Sequence, residues 1–190
     1  MADKRDELLD AACERFRASD LKGLHLESLA RQVGLSPQQA REMFPDSDGL
    51  NRAVYERALI AMAAESVASL PGSGIGRQLE HLLRQRYGFL VDHRESSRDI
   101  LFGVISAGGG WRDPFEDQFW RFSVQVVALL EAAKRNGEIR ADADHVVAAR
   151  AFVSYYLTGI LLALRNDTTS ADQACDFTFP LVSALLESLR

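Results

Sequence analysis

The chain has 190 residues, 47% hydrophobic and 26% charged, which suits a fully cored protein of one large domain or a small head plus a body and excludes a disordered chain. A net charge of −5 supplies no overall attraction to nucleic acid, so any such binding must come from a local patch. Two cysteines far apart, Cys13 and Cys175, with no CxxC pair and no His at ligand spacing, argue against a disulfide framework or a thiolate metal site and read as buried reduced thiols.

Apolar residues recur at intervals of three and four along the whole chain, and alternating β-branched runs are missing, so the predicted fold is all-α with nine helices. Leu8, Leu9, Ala12, Cys13 and Phe16 form the stripe of a first helix, predicted over 5–19 and ended near Lys22 and Gly23. Leu26, Leu29, Ala30 and Val33 mark a short second helix that Gly34 terminates, because glycine accepts the left-handed conformation beyond a helix end.

Ser36-Pro37-Gln38-Gln39 is a capping box with proline at the first helical position, which starts a third helix. Pro45 disfavours a helical Phe44 and ends it. Asp46 then caps a fourth helix predicted over 47–70, roughly 35 Å long at 1.5 Å per residue. Pro71-Gly72-Ser73-Gly74 is the clearest loop.

A fifth helix is predicted over 75–93 and a sixth over 97–107, broken by Gly108, Gly109 and Gly110. Asp113 and Pro114 read as cap and first residue of a seventh helix that Gly137 closes. The eighth, predicted over 142–165, is apolar on nearly all sides between Val146 and Leu164 and must be buried on more than one face. A ninth begins near Ser170, and Pro180 is expected to kink or interrupt it. The longest uncharged apolar run, 151–164, falls short of the roughly 18 residues of a membrane span. The charged start, MADKRDELLD, lacks a secretion pattern, so a cytoplasmic protein with no membrane partner is expected.

Two short helices joined by Gly34-Leu35-Ser36 form a helix-turn-helix unit. The run Leu24 to Leu50, LHLESLARQVGLSPQQAREMFPDSDGL, resembles the signature of the TetR family of transcriptional regulators: Leu29-Ala30, the turn Val33-Gly34-Leu35-Ser36, then a short helix ending in Phe44 before a long helix capped by Asp46. Residue identity departs from that signature at Arg41, where the family has Tyr, and at Ser47, where it has a phosphate-contacting Lys. Seven basic residues face ten acidic ones in the first 50 positions, a local charge of about −3, against the phosphate attraction on which DNA affinity depends.

The resemblance implies a DNA-binding head over 1–48 and a ligand-binding, dimerising body over 49–190. It implies a homodimer that grips a palindromic double-stranded operator and acts as a repressor released by a small hydrophobic or aromatic effector. The exposed face of the third helix would then read DNA, through Ser36, Pro37, Gln38, Gln39, Arg41, Glu42 and Met43, with Lys4, Arg5, Arg31 and Ser47 at the backbone. The last two helices, near 144–165 and 170–190, would pair with their counterparts. The small residues Ala148, Ala149, Ala151, Ser154, Gly159 and Ala163 of the eighth helix permit such close approach.

An effector pocket in the body would draw on the aromatics Tyr87, Phe102, Trp111, Phe115, Phe119, Trp120, Phe122, Phe152, Tyr155 and Tyr156, with His81 and Arg86 orienting the ligand. No cofactor or metal is expected. Catalysis has no support: Asp92-His93 and Asp144-His145 are adjacent on helices and point apart, and no GxSxG, P-loop or HExxH sequence is present. The competing expectation is a protein of the same fold that has given up DNA and binds a lipid or hydrophobic metabolite, which the acidic head favours.

Overall fold

The computed structural model describes residues 2–105 and 112–190, and within them the chain forms nine α-helices and no strand. These are α1 (Ala2–Ser19), α2 (Leu26–Gln32), α3 (Pro37–Met43), α4 (Ser47–Ala68), α5 (Ile75–Asp92), α6 (Arg94–Ile105), α7 (Arg112–Arg135), α8 (His145–Leu164) and α9 (Ala171–Ser188). A 3-10 turn, Leu21–Gly23, follows α1 and was not anticipated. It is set up by Asp20, which takes a positive φ of 59° and whose side chain accepts from the Leu21 N–H. Gly108, Gly109 and Gly110 lie outside the described residues. The chain divides into two compact units, Met1–Ala61 and Met62–Arg190, with the division falling inside α4.

The first unit packs around Leu8, Ala12, Phe16, Ala30, Ala40, Leu50 and Val54, all essentially excluded from solvent. Phe16 and Tyr55 meet edge to face at 6.0 Å, and Leu35 and Phe44 are buried beside them in sequence but on loops. The turn between α2 and α3 works as read: Gly34 adopts φ +70°, which lets the Leu35 N–H return to the Ala30 carbonyl. Ser36 Oγ accepts from the Gln39 N–H while Gln39 Oε1 accepts from the Ser36 N–H at 2.9 Å, closing the capping box. Asp46 Oδ1 accepts from the Gly49 N–H and starts α4.

In the second unit α8 touches α5, α6, α7 and α9, so much of its apolar circumference is buried by packing. By length and composition α8 would also serve as a membrane span, but its buried face is Ala148, Ala149, Phe152, Val153, Tyr156, Gly159, Ile160, Ala163 and Leu164, the inner surface of this helical core. Gly159 makes the closest approach possible: a Cβ there would stand 1.9 Å from the Tyr87 hydroxyl and 2.6 Å from Thr178 Oγ1. Tyr87, from α5, donates to the Tyr156 carbonyl at 3.2 Å and reaches Thr178 Oγ1 of α9 at 3.1 Å, so three helices meet over that glycine.

Two corrections concern the last helices. The helix α9 runs through Pro180 without interruption. Pro180 is exposed, where only its own missing N–H is forfeited and its ring meets no packed neighbour helix. The small residues Ala148, Ala149, Gly159 and Ala163 turn inward to helices of the same chain, so they build the core of the unit rather than an outer seam.

The carboxyl end of α8 is held by α6. Arg94 donates to the carbonyls of Ala163, Asn166 and Thr169, and Arg98 donates through Nε to the Leu164 carbonyl at 2.6 Å and through its terminal nitrogen to Asp167 at 2.6 Å. Cations placed on the unsatisfied carbonyls of a helix end are favoured by the helix dipole as well as by the hydrogen bonds.

Candidate functional sites

In the first unit α3 buries Ala40 and turns the rest of its surface to solvent. Pro37, Gln38, Gln39, Arg41 and Glu42 are all exposed, Met43 is half-buried, and Phe44 is sealed beneath. A polar ridge on a rigid, capped short helix is the geometry needed to enter a groove of nucleic acid. The basic side chains around it are tied down. Arg41 pairs with Glu27 of α2 at 2.6 Å, and Arg31 donates through Nε to the Glu27 carbonyl at 3.2 Å. Lys4 pairs with Glu7 and also reaches the Val33 carbonyl at 3.4 Å. Gln38 donates to Glu42 at 3.3 Å. The guanidinium of Arg5 lies over the Phe44 ring, 4.8 Å from its centroid.

Beside the ridge, an open cleft of about 580 Å³ is lined by Leu24, His25, Leu26, Glu27, Ser28, Arg31, Arg41, Pro45, Asp46 and Ser47. It gathers two of the predicted DNA-contacting cations and two carboxylates in one place. The Arg41–Glu27 link escaped sequence reasoning because the partners lie 14 positions apart on different helices. The one available signal was their membership of α2 and α3, the two arms of a helix-turn-helix.

In the second unit the structure draws five of the predicted ligand residues together. Tyr87 and Tyr156 stack with centroids 5.6 Å apart, Phe122 meets Tyr156 edge-on at 4.9 Å and Phe152 at 6.0 Å. Arg86 from α5 lies flat over the Phe122 ring at 3.7 Å and 6.0 Å from Tyr156. The guanidinium is only 4% exposed, its Nε has no hydrogen-bond partner, and among the described residues no carboxylate pairs with it. Burial pulls its pKa down, and the Tyr156 hydroxyl acts in the opposite sense. Tyr156 and Tyr87 are both pushed up, chiefly by burial. Arg86 thus stands as a cation in an aromatic cage, compensated by the ring faces and by the Tyr156 hydroxyl.

The other predicted ligand residues are placed elsewhere. His81 is bound at 3.1 Å to the Ser66 carbonyl and at 3.1 Å to Ser69 Oγ, at the end of α4, and so closes a helix terminus. Phe102 is 73% exposed on α6. Phe119 and Trp120 line a shallow apolar groove of about 390 Å³ between α7 and α8, with Val124, Val127, Ala149, Val153 and Leu157. Tyr155 is half-buried against the core. Trp111 and the side chain of Phe115 lie outside the described residues. Sequence reasoning missed Gln118 and Gln125 of α7, each with an amide nitrogen that is buried and has no hydrogen-bond partner. Among the described residues no cluster of His, Cys, Asp or Glu could hold a metal ion.

Outside the core, α8 exposes Val147, Ser154, Thr158 and Leu161, and α9 exposes Phe177, Pro180, Leu181 and Ala184. Arg150, also exposed, stands between Val147 and Ser154, and with it the spacings of three and four make each set a continuous stripe along one side of its helix.

No family model and no curated protein matches the chain. Solved structures do. One described as a TetR-family transcriptional regulator from a Rhodococcus species superposes with a TM-score of 0.70 at 17% identity, covering 98% of this chain and 100% of that one. Another so described, from Mesorhizobium loti, gives 0.70 at 18% identity over 98% and 96%. The regulator FadR from Bacillus subtilis, solved in complex with stearoyl-CoA, gives 0.63 at 10% identity over 97% and 98%. The chain therefore has the fold of TetR-family regulators over its whole length.

Proposed function

We propose that the chain is a DNA-binding transcriptional regulator, a homodimeric repressor in which residues 1–48 read a palindromic operator and residues 49–190 sense an effector and pair the subunits. The observation that carries this reading is the α3 ridge: four polar residues, Gln38, Gln39, Arg41 and Glu42, exposed on a helix whose buried side, Ala40 with Phe44 behind it, is committed to the head. A helix kept only for scaffolding has no need of a capped, fully polar outer face. Gln38 and Gln39 suit an adenine edge and Arg41 a guanine edge, while Ser36, Ser47, Lys4, Arg5 and Arg31 are the candidates for phosphate.

Dimerisation is supported by the exposed apolar side chains that the outer stripes carry, Val147 and Leu161 on α8 and Phe177 and Leu181 on α9. Two-fold pairing through them would repeat the ridge at a spacing matched to successive major grooves, roughly 34 Å. Charged substitutions on both stripes, Leu161→Glu with Phe177→Glu, are expected to yield monomers in sedimentation, and a dimer that survives both would remove these helices from the interface.

A second reading is a protein of this fold that binds a lipid or hydrophobic metabolite and no DNA. It is favoured by the pairing of Arg41 with Glu27 and Lys4 with Glu7, which hides the head's cations. FadR, with its stearoyl-CoA, illustrates that this fold accommodates an acyl ligand. Binding of the purified protein to DNA flanking its own gene, measured at two salt concentrations, separates the two. A regulator binds with a steep loss at the higher salt and loses affinity in Arg41→Ala while remaining dimeric. Absence of binding even at low salt would leave the metabolite carrier.

A further inference from the structure

A buried positive charge without a counter-charge is costly to maintain, and a packed protein interior ordinarily answers it with a carboxylate. Arg86 has none among the described residues. Its surroundings are also unbalanced in hydrogen bonding. Gln118, Phe122 and Gln125 lie at i, i+4 and i+7 on one face of α7, and Arg86 covers the middle member. Gln118 is 6% exposed, and the amide nitrogens of Gln118 and Gln125, one turn to either side of Phe122, are buried and lack partners like the Nε of Arg86. Three orphaned donors and no orphaned side-chain acceptor stand on that face. The buried unpartnered side-chain atoms of the described chain are all nitrogens, and these three belong to one neighbourhood.

We propose that Arg86, Gln118 and Gln125 form the receptor for the acceptor end of the effector, and that this end is the carboxylate of a small organic acid whose apolar remainder packs against Phe122 and Tyr156. The proposal rests on the effector-sensing reading of the body. A carboxylate is selected over a neutral carbonyl because only a negative charge cancels that of Arg86 in an aromatic, water-poor cage. It is selected over a phosphate because a single cation would leave a dianion unbalanced. The guanidinium already lies over Phe122 with its Nε unpartnered, so a carboxylate oxygen can take that donor without displacing the ring contact. The glutamine amides supply the remaining donors, as acceptor-only oxygens require.

The test is a thermal-shift and calorimetric titration of the full-length protein with a panel of acids, from acetate to octanoate and from benzoate to cinnamate, each matched with its neutral amide. At least one acid is expected to raise the melting temperature by several degrees at millimolar concentration while its amide does not. Arg86→Met is expected to fold and to weaken that acid by about ten- to a hundredfold, the equivalent of one charge-assisted hydrogen-bonded contact. Gln118→Leu keeps the charge and is expected to weaken it by about tenfold, which carries the test if Arg86→Met does not fold. No acid that binds, an amide that binds as well as its acid, or undiminished binding in both variants would overturn the proposal and leave Arg86 as a stacking clamp. The same acids added to the DNA-bound protein separate this failure from failure of the regulator reading. Acid binding by a protein that binds no DNA would sink the regulator and keep the receptor, whereas release of DNA by neutral amides alone would do the reverse.

Discussion

The two compact units handle positive charge in opposite ways. In the first, cations lie at the surface and three of them are answered by carboxylates: Arg41 by Glu27, Lys4 by Glu7, Arg57 by Asp6 and Asp10. In the second, Arg86 is sealed in a core and answered only by ring faces and a phenol. Exposed ion pairs contribute about 0–1 kcal/mol each, so those of the head can be exchanged for phosphate contacts at small cost. A buried cation has no such cheap exchange, and its environment changes only when something enters or the packing moves. Under the proposed function, this contrast would suit the head to reversible contact with a highly charged partner and the body to discrimination among small ones.

If this contrast holds, perturbations of the body's sealed contacts should be severe and those of the head's surface contacts mild. The largest effect is expected at Gly159, where a methyl group would collide with the Tyr87 hydroxyl and Thr178 Oγ1. Gly159→Ala should lower unfolding stability by about 3 kcal/mol in urea titrations. Adding Tyr87→Phe, which removes the colliding oxygen, should restore part of it, and strictly additive losses would show that the two sites are not coupled.

Next comes alkaline pH. Burial pushes the Cys175 thiol from 9.0 up to about 11, so the protonated form is favoured in the native state. Its contribution is intact below pH 9 and is lost as pH climbs toward 11, on the order of 2 kcal/mol. Urea midpoints should fall across that window and fall less in Cys175→Ala. An identical pH profile in the variant would place the loss elsewhere, Cys13 being the other thiol that burial protects from ionising.

In the head, Ser36→Ala removes the hydroxyl that accepts from the Gln39 N–H and should cost about 1 kcal/mol, readable as a small drop in melting temperature. The mildest effect is expected for Glu27→Gln, which unties Arg41 with a stability change of no more than about 0.5 kcal/mol. It should nevertheless strengthen DNA binding by about threefold, since Arg41 no longer exchanges one partner for another. Unchanged or weaker binding would mean that Arg41 does not face the duplex.

Helices were legible in the sequence because each carries its own evidence: an apolar stripe inside it and a cap, glycine or proline at its ends. Gly34, the Ser36–Gln39 box, Asp46 and Gly137 all act at the positions their chemistry assigns. What periodicity cannot say is which neighbour a buried face meets. Ala149 has the size for an interface between subunits, yet it faces α7 of its own chain, because smallness licenses close approach by any helix. Phe102 and Trp120 entered the list of ligand residues as aromatics, and both are exposed because their turns of the helix point away from the cluster. Arg86 sits in the core through stacking, which no local pattern announces, and Gln118 reads on paper as a surface residue of an amphipathic helix. Pro180 was expected to kink or interrupt α9; the helix continues through it, because at an exposed turn the loss of one hydrogen bond is outweighed by the buried contacts on the helix's inner face, Cys175, Thr178, Val182 and Leu186.

The grip of Arg94 and Arg98 on the last carbonyls of α8 has a mechanical corollary. Both side chains leave from the same helix and terminate on the hairpin bend before α9, so α6 and that bend form a linkage rather than two independent parts. A rotation of α6 of even one ångström must either tow the bend along or surrender several ionic hydrogen bonds at once. Displacing α6 would therefore load the corner that α8 and α9 share.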